Sequence, residues 1–311
     1  MIVLDAAIEI VLIALLAFCP LAFGAVEPWS ELVAFALGAI LAVLVAVRNV
    51  IARERIVRWL AHFPIGLYLA LVGFQLLPLP SAVVRAISPQ TVITRTDLLS
   101  DLPNAGELLR STTPSLYPLG TRHDLSIVLL ATTVFFAVTT IFQTPARLRR
   151  LLIWIALIGG AIGALALAQD LTRAPGIYWR INIGIAPHNG PFVNHSHYAQ
   201  FMNLCLGAAM GLLLGSWQPR AEGSKRHIAW WTAPILVIGG VTIALSLTRG
   251  GLISMLAAGG VLLAIVSRRS GLRRLGAVVI VVAICTFAGV LYLGFDRIYE
   301  SARSATRSQA Y

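Results

Sequence analysis

The chain has 311 residues, of which 58% are hydrophobic and only 12% charged, and its mean hydropathy is +0.83. That composition excludes an ordinary soluble domain and predicts an all-α, polytopic transmembrane helical bundle. The formal charge of +11 invites a nucleic-acid ligand, but the basic residues fall in short clusters between apolar runs, which is a topology signal and excludes nucleic acid as partner.

In chain order, about nine apolar runs are long enough to cross roughly 30 Å of hydrocarbon as helices. They fall at 4–26, 30–48, 60–78, 125–143, 151–169, 195–216, 230–248, 251–267 and 275–294. The first has no basic segment ahead of it and no cleavage site, so it reads as a retained span. Pro20 is expected to kink it. Dense arginine clusters lie in alternate connections, at 48–58, 144–150, 217–228 and 268–274. The positive-inside rule puts these connections, and the amino terminus, in the cytoplasm. The turn at 27–29, the loops 79–124 and 170–194, the tight turn at Arg249 and the tail 295–311 are then outside. The loop 79–124 is rich in Pro, Ser and Thr and is expected to carry short irregular structure. Residues 1–294 thus form the bundle, and 295–311 the start of an extracytoplasmic segment that stops without a capping signal, as if cut from something longer. Cys19, Cys205 and Cys285 are far apart and each inside an apolar run, so they read as packing residues and not as a disulfide or zinc framework. Gly207, Gly211 and Gly215 share one helix face and predict close helix packing.

Two polar marks interrupt this apolar pattern. The stretch from Trp179 to Met202 holds Arg180, three histidines and three asparagines, and Leu247-Thr-Arg-Gly-Gly251 sits between two further apolar runs. Polar groups at a membrane mouth mark a place where something polar is handled. On a helix beginning near His195, Ser196, Gln200, Asn203 and Gly207 fall on one stripe, which predicts an outward-open polar cavity or, failing that, interhelical hydrogen bonds. Arg249 either snorkels or points its guanidinium at that cavity, with Gly250 and Gly251 making the turn. A guanidinium pairs bidentately with phosphate oxygens, and Arg180 on the neighbouring loop could complete a clamp for a diphosphate without a metal. His188, His195 and His197 suit acid–base work or hydrogen bonds to a sugar better than a metal site, because His-x-His on a helix sets the rings about 200° apart. Asn189 and Asn194 suit sugar hydroxyls, and Asn194 equally suits a helix cap.

These residues look familiar together. Gly190-Pro-Phe-Val-Asn-His-Ser-His-Tyr-Ala199 resembles the Gly-x-Phe-x-Asn-x-Asn-x-Phe-Ala signature of the O-antigen ligase/polymerase superfamily. Leu245-Ser-Leu-Thr-Arg-Gly-Gly251 resembles that family's Ser-Arg-Gly turn, and Tyr117-Pro-Leu-Gly-Thr-Arg122 is similar to a stretch common in it. The resemblance implies a multi-pass glycosyltransferase of the GT-C type in the bacterial inner membrane. It would move a glycan from undecaprenyl diphosphate onto an acceptor glycan, lipid or protein, surrounded by membrane lipid and using neither cofactor nor metal. It implies Arg249 as the turn arginine, Arg180 by location as the loop arginine, and Asn194 as the first motif asparagine; Ser196 stands where a second asparagine is usual. In that family a large outer loop with a catalytic histidine follows about nine spans. The catalytic group here is therefore unassigned, with His195 and His197 as candidates, and the 311-residue chain alone is expected to be inactive. Two other classes stay open. One is a transporter or flippase for a lipid-linked or small polar solute, which predicts broken helices and mid-membrane charge. The other is a non-enzymatic scaffold for polysaccharide assembly.

Overall fold

The structure, a computed structural model, describes residues 1–52, 62–181, 189–216, 226–267 and 284. The ninth expected span other than Ile284, the tail 295–311, and His188 lie outside the described residues. The protein is an all-α membrane protein. Helices α1 (Ile2–Leu21), α2 (Pro28–Ala52), α7 (Pro118–Ile141), α8 (Pro145–Leu171) and α9 (His195–Ser216) are long and apolar enough to cross a bilayer. Shorter apolar stretches form α3 (His62–Gln75) and most of α10 (Arg226–Leu245) and α11 (Arg249–Ser267).

Proline sets several of the starts. Pro28, Pro118 and Pro145 are each a first helical residue, where a missing N–H costs nothing and the fixed φ suits the helix. Thr144 caps α8, its Oγ1 accepting from the Arg147 N–H at 3.4 Å. The arginines 147, 149 and 150 therefore lie in the first turns of α8 and not in a loop, and α7 begins seven residues earlier than its apolar run. Pro20 lies inside α1, the helix stops one residue later, and Phe23, Gly24 and Ala25 follow with positive φ.

The chain divides into two compact units, one of Met1–Ile8 with Phe35–Thr140 and one of Glu9–Ala34 with Ile141–Tyr311. In the first, Arg48 Nε meets Asp5 Oδ1 at 3.1 Å with both side chains largely buried. Gly38 of α2 lets Leu130 of α7 approach so closely that a Cβ would stand 2.3 Å from its Cδ1. The loop 79–124 is more ordered than its composition predicts. Strands β1 (Leu79–Pro80) and β2 (Ser111–Thr112) pair antiparallel and enclose three short helices, α4 (Ser81–Ile87), α5 (Pro89–Leu99) and α6 (Ala105–Leu108). Residues 118–124 already belong to α7.

In the second unit α8, α9 and α10 pack mutually and α11 lies on α9 and α10. The core is built from Ile162, Tyr198, Met202, Ala209, Leu213 and Ile243, all nearly or fully buried. Lipid offers no hydrophobic drive between helices, so close van der Waals fit and small residues must hold them. Those small residues are on α8 and α10. A Cβ on Gly159 would stand 2.3 Å from Cys205 Cβ, and one on Gly239 would stand 2.6 Å from Leu206 Cδ2. The expected stripe Gly207, Gly211 and Gly215 does not do this: nothing among the described residues comes within 4 Å of an added Cβ at any of the three. The buried face of α9 is the other one, through Tyr198, Met202, Cys205 and Leu212. At the opposite end Arg150 grips Glu9 through two bonds, Nε–Oε1 at 2.9 Å and Nη2–Oε2 at 2.8 Å.

Gly159→Ala should therefore cost about 1–3 kcal/mol through overpacking against Cys205. Gly211→Ala should be neutral or gain up to about 1 kcal/mol in helix propensity. Thermal unfolding of the two variants in one detergent compares them directly, and equal midpoints would contradict the packing described.

Candidate functional site

Three connections meet at one end of the second unit. They are the loop after α8, the turn 189–194 before α9, and the turn between α10 and α11. Gln169, at 1% exposure, ties the first two together. With its amide oriented to suit its neighbours, its nitrogen donates to the Gly190 carbonyl at 3.1 Å and its oxygen accepts from the Tyr178 N–H at 2.8 Å. Thr248 ties in the third, its Oγ1 donating to the His195 carbonyl at 3.2 Å.

Arg180 sits on a small closed loop. Ile177 N–H donates to the Ile181 carbonyl at 2.9 Å and Ile181 N–H donates back at 3.0 Å, so the backbone doubles on itself within five residues. Inside it Tyr178 and Trp179 both have left-handed φ, 54° and 60°. For residues with a Cβ this conformation costs roughly 1–2 kcal/mol each, and such strain persists only where the surroundings impose it. The surroundings are plain. The Tyr178 hydroxyl donates to the Leu21 carbonyl at 2.5 Å, its ring meets Phe23 edge-on at 5.8 Å, and Trp179 Nε1 donates to Thr172 Oγ1 at 2.8 Å. The Arg180 side chain projects exposed from this fixed loop.

Arg249 is the first residue of α11 and is also exposed. The turn before it is not made by Gly250 and Gly251, which are already helical. Leu247, with φ 55°, makes it, and Thr248 caps α11 by accepting the Leu252 N–H on its carbonyl at 3.0 Å. Gly251 has a different task. A Cβ there would lie 2.6 Å from Ala199 Cβ, so glycine allows α11 to touch α9, and Asn203 Nδ2 then donates to the Gly251 carbonyl at 3.0 Å.

Of the other predicted residues, Asn194 caps α9: its Oδ1 accepts the Ser196 N–H at 2.8 Å. Asn189 is buried, and its Nδ2 donates to the Phe192 carbonyl, closing the turn around Gly190. That glycine has φ 56° and leaves only 3.2 Å between a Cβ and Ala166 of α8. Both asparagines thus shape the entry to α9. His195, His197 and Gln200 are exposed along its first turns and Ser196 is half-buried. The stripe from Ser196 to Gly207 does not line the core of the unit; Asn203 spends its amide on an interhelical bond. No group of three or more His, Cys, Asp or Glu that could hold a metal occurs among the described residues. Sequence reasoning passed over Gln169, Tyr178 and Thr248, which organise the end of the unit; Asp170, beside Gln169, is 7% exposed. The polar pair Gln169 and Asp170 at the last turn of an apolar helix was the available signal.

Among known proteins, no family model, no curated protein and no solved structure matches the chain.

Burial pushes the Tyr178 phenol above its ordinary value of 10. The folded state then holds that proton more tightly than the unfolded one, so the stability it contributes is complete below pH 10 and is lost as pH rises above it. Tyr178→Phe, which keeps the ring and removes the bond to Leu21, should lower stability by about 1 kcal/mol near neutral pH. The gap to the parent should close as pH is raised beyond about 10 in thermal unfolding series. A gap that does not change with pH would show that the hydroxyl does not anchor the loop.

Proposed function

We propose that this protein is a membrane glycosyltransferase of the O-antigen ligase/polymerase type, GT-C in architecture. It takes a glycan from undecaprenyl diphosphate and passes it to an acceptor on the outer face of the bacterial inner membrane. The observation that carries this reading is the pair Arg180 and Arg249, each exposed, each presented by a hydrogen-bonded turn with left-handed non-glycine backbone, at the same end of one helical unit. That end also holds the amino termini of α9 and α11, whose partial positive charge favours an anion.

In this reading the guanidinium groups bind the diphosphate oxygens of the lipid carrier. An acceptor hydroxyl attacks the anomeric carbon, the C–O bond to the diphosphate breaks, and the diphosphate leaves with the electron pair. Charge grows on the leaving oxygens, where two fixed cations stabilise the transition state more than the ground state. His195 and His197, exposed on the first turn of α9, are the candidates among the described residues to take the acceptor proton. Ser196, Gln200 and the exposed Asn194 offer hydrogen bonds to sugar hydroxyls. The orientation with the amino terminus in the cytoplasm belongs to the same reading, since it puts this end outside.

Arg249→Ala and Arg180→Ala, introduced at the native locus with protein level checked, should each lower glycan transfer by roughly 10²–10³-fold. Arg249→Lys should recover little, because lysine cannot make the bidentate contact. Surface glycan at the parental level in both alanine variants would overturn the proposal. Retained transfer of glycan with loss of carrier movement across the bilayer would favour a transporter.

A further inference from the structure

We propose that residues 79–117 form a module that lies on the bilayer, with apolar side chains of its short helices set into the boundary between head groups and acyl chains. This is independent of the glycosyltransferase reading and requires only that α3 and α7 are membrane helices.

The module is inside out for a domain in water. Among its large apolar side chains only Val84 and Val92 are buried, while Val83, Ile87, Ile93, Leu98, Leu102 and Leu108 are between 43% and 72% exposed. Val83 and Ile87 are one turn apart on the same face of α4. A segment this short cannot supply a core of its own, and one that exposes most of its apolar residues has to complete it against something else.

Its attachment says what that is. Three residues separate α3 from β1, and five separate β2 from α7. At about 3.3–3.6 Å per residue these links reach at most about 10–18 Å. They are also pinned. Ser115 N–H donates to the Gln75 carbonyl at the end of α3 at 3.0 Å, and Ser115 and Thr121 hydroxyls bond at 2.7 Å at the start of α7. Arg95 of α5 binds the Thr112 hydroxyl, the Thr113 hydroxyl at 3.0 Å and the Ser115 carbonyl at 2.8 Å, and Thr91 Oγ1 donates to the Pro114 carbonyl at 3.2 Å. The module is therefore clamped to the ends of two apolar helices and cannot stand off from the surface those ends define. Charge does not contribute: Arg85, Arg95 and Arg110 are balanced by Asp97, Asp101 and Glu107. The contact is with the acyl boundary, as for an interfacial helix, and not an electrostatic one with anionic head groups.

The test uses the full chain with Cys19, Cys205 and Cys285 changed to Ala, reconstituted in phosphatidylcholine vesicles. An environment-sensitive fluorophore is placed at Ile87→Cys, Leu98→Cys or, as a polar control, Asp101→Cys, with Val83→Cys as substitute if one probe site fails to fold. At Ile87 and Leu98 we expect blue-shifted emission and quenching by a nitroxide high on the acyl chain several-fold stronger than at Asp101. Aqueous iodide should quench them several-fold less than Asp101, and molar salt should change neither result. Iodide quenching at Leu98 equal to that at Asp101 would overturn the proposal. So would shielding from both quenchers, which would mean a protein partner or a second copy covers the face, and so would release of the acyl contact by salt.

Discussion

The approach of α11 to the first turns of α9 is the constraint on which the described end of the second unit depends. It exists because residue 251 has no Cβ, so that Ala199 can take the space, and because the carbonyl exposed by that contact finds the Asn203 amide 3.0 Å away. The Thr248 hydroxyl adds a bond to the His195 carbonyl on the same seam. In lipid such bonds are worth only about 0.6 kcal/mol on average, so the close fit must carry most of the association and the hydrogen bonds fix its register. The same seam carries Arg249 at the start of α11 and His195 and His197 at the start of α9, and Leu247 takes left-handed backbone in the turn that leads to Arg249.

The same logic holds the loop of Arg180. A tight backbone closure, two strained residues and a buried glutamine are more machinery than a connection between spanning helices requires. Strain of this kind persists only where the surroundings impose it, and in the proposed reading it presents the Arg180 guanidinium to phosphate before the ligand arrives. Arg95 shows the contrast. It is an arginine whose donors are spent on Thr112, Thr113, Ser115 and Leu116, so it builds its module and has little left for a ligand.

Hydropathy made the helices legible, because a span of lipid demands a long apolar run with every backbone group bonded inside it. Starts were less legible than interiors. Pro118 and Pro145 look like loop residues by composition, yet at a first helical position they begin the helix, and the arginines beyond them are drawn in with them. Glycine spacing does not by itself say where helices touch. Gly207, Gly211 and Gly215 repeat at the interval of a packing motif but have no neighbour among the described residues, whereas Gly159 and Gly239, which do pack closely, look unremarkable among other small residues. At the site, Arg180, Arg249, His195 and His197 stood out by chemistry and are exposed at one end. Asn189 and Asn203 stood out equally and are used up in shaping the scaffold. Tertiary hydrogen bonds separate these two groups, and no pattern along the chain encodes them.

The central claim is that two arginines from separate turns act on one anion. A double-mutant cycle on the affinity of the purified protein in nanodiscs for undecaprenyl diphosphate measures it most directly. If Arg180 and Arg249 share the ligand, the losses from Arg180→Ala and Arg249→Ala should be non-additive, with a coupling energy of at least about 0.5 kcal/mol that shrinks for the monophosphate. Strictly additive losses, or affinity unchanged by either substitution, would contradict it.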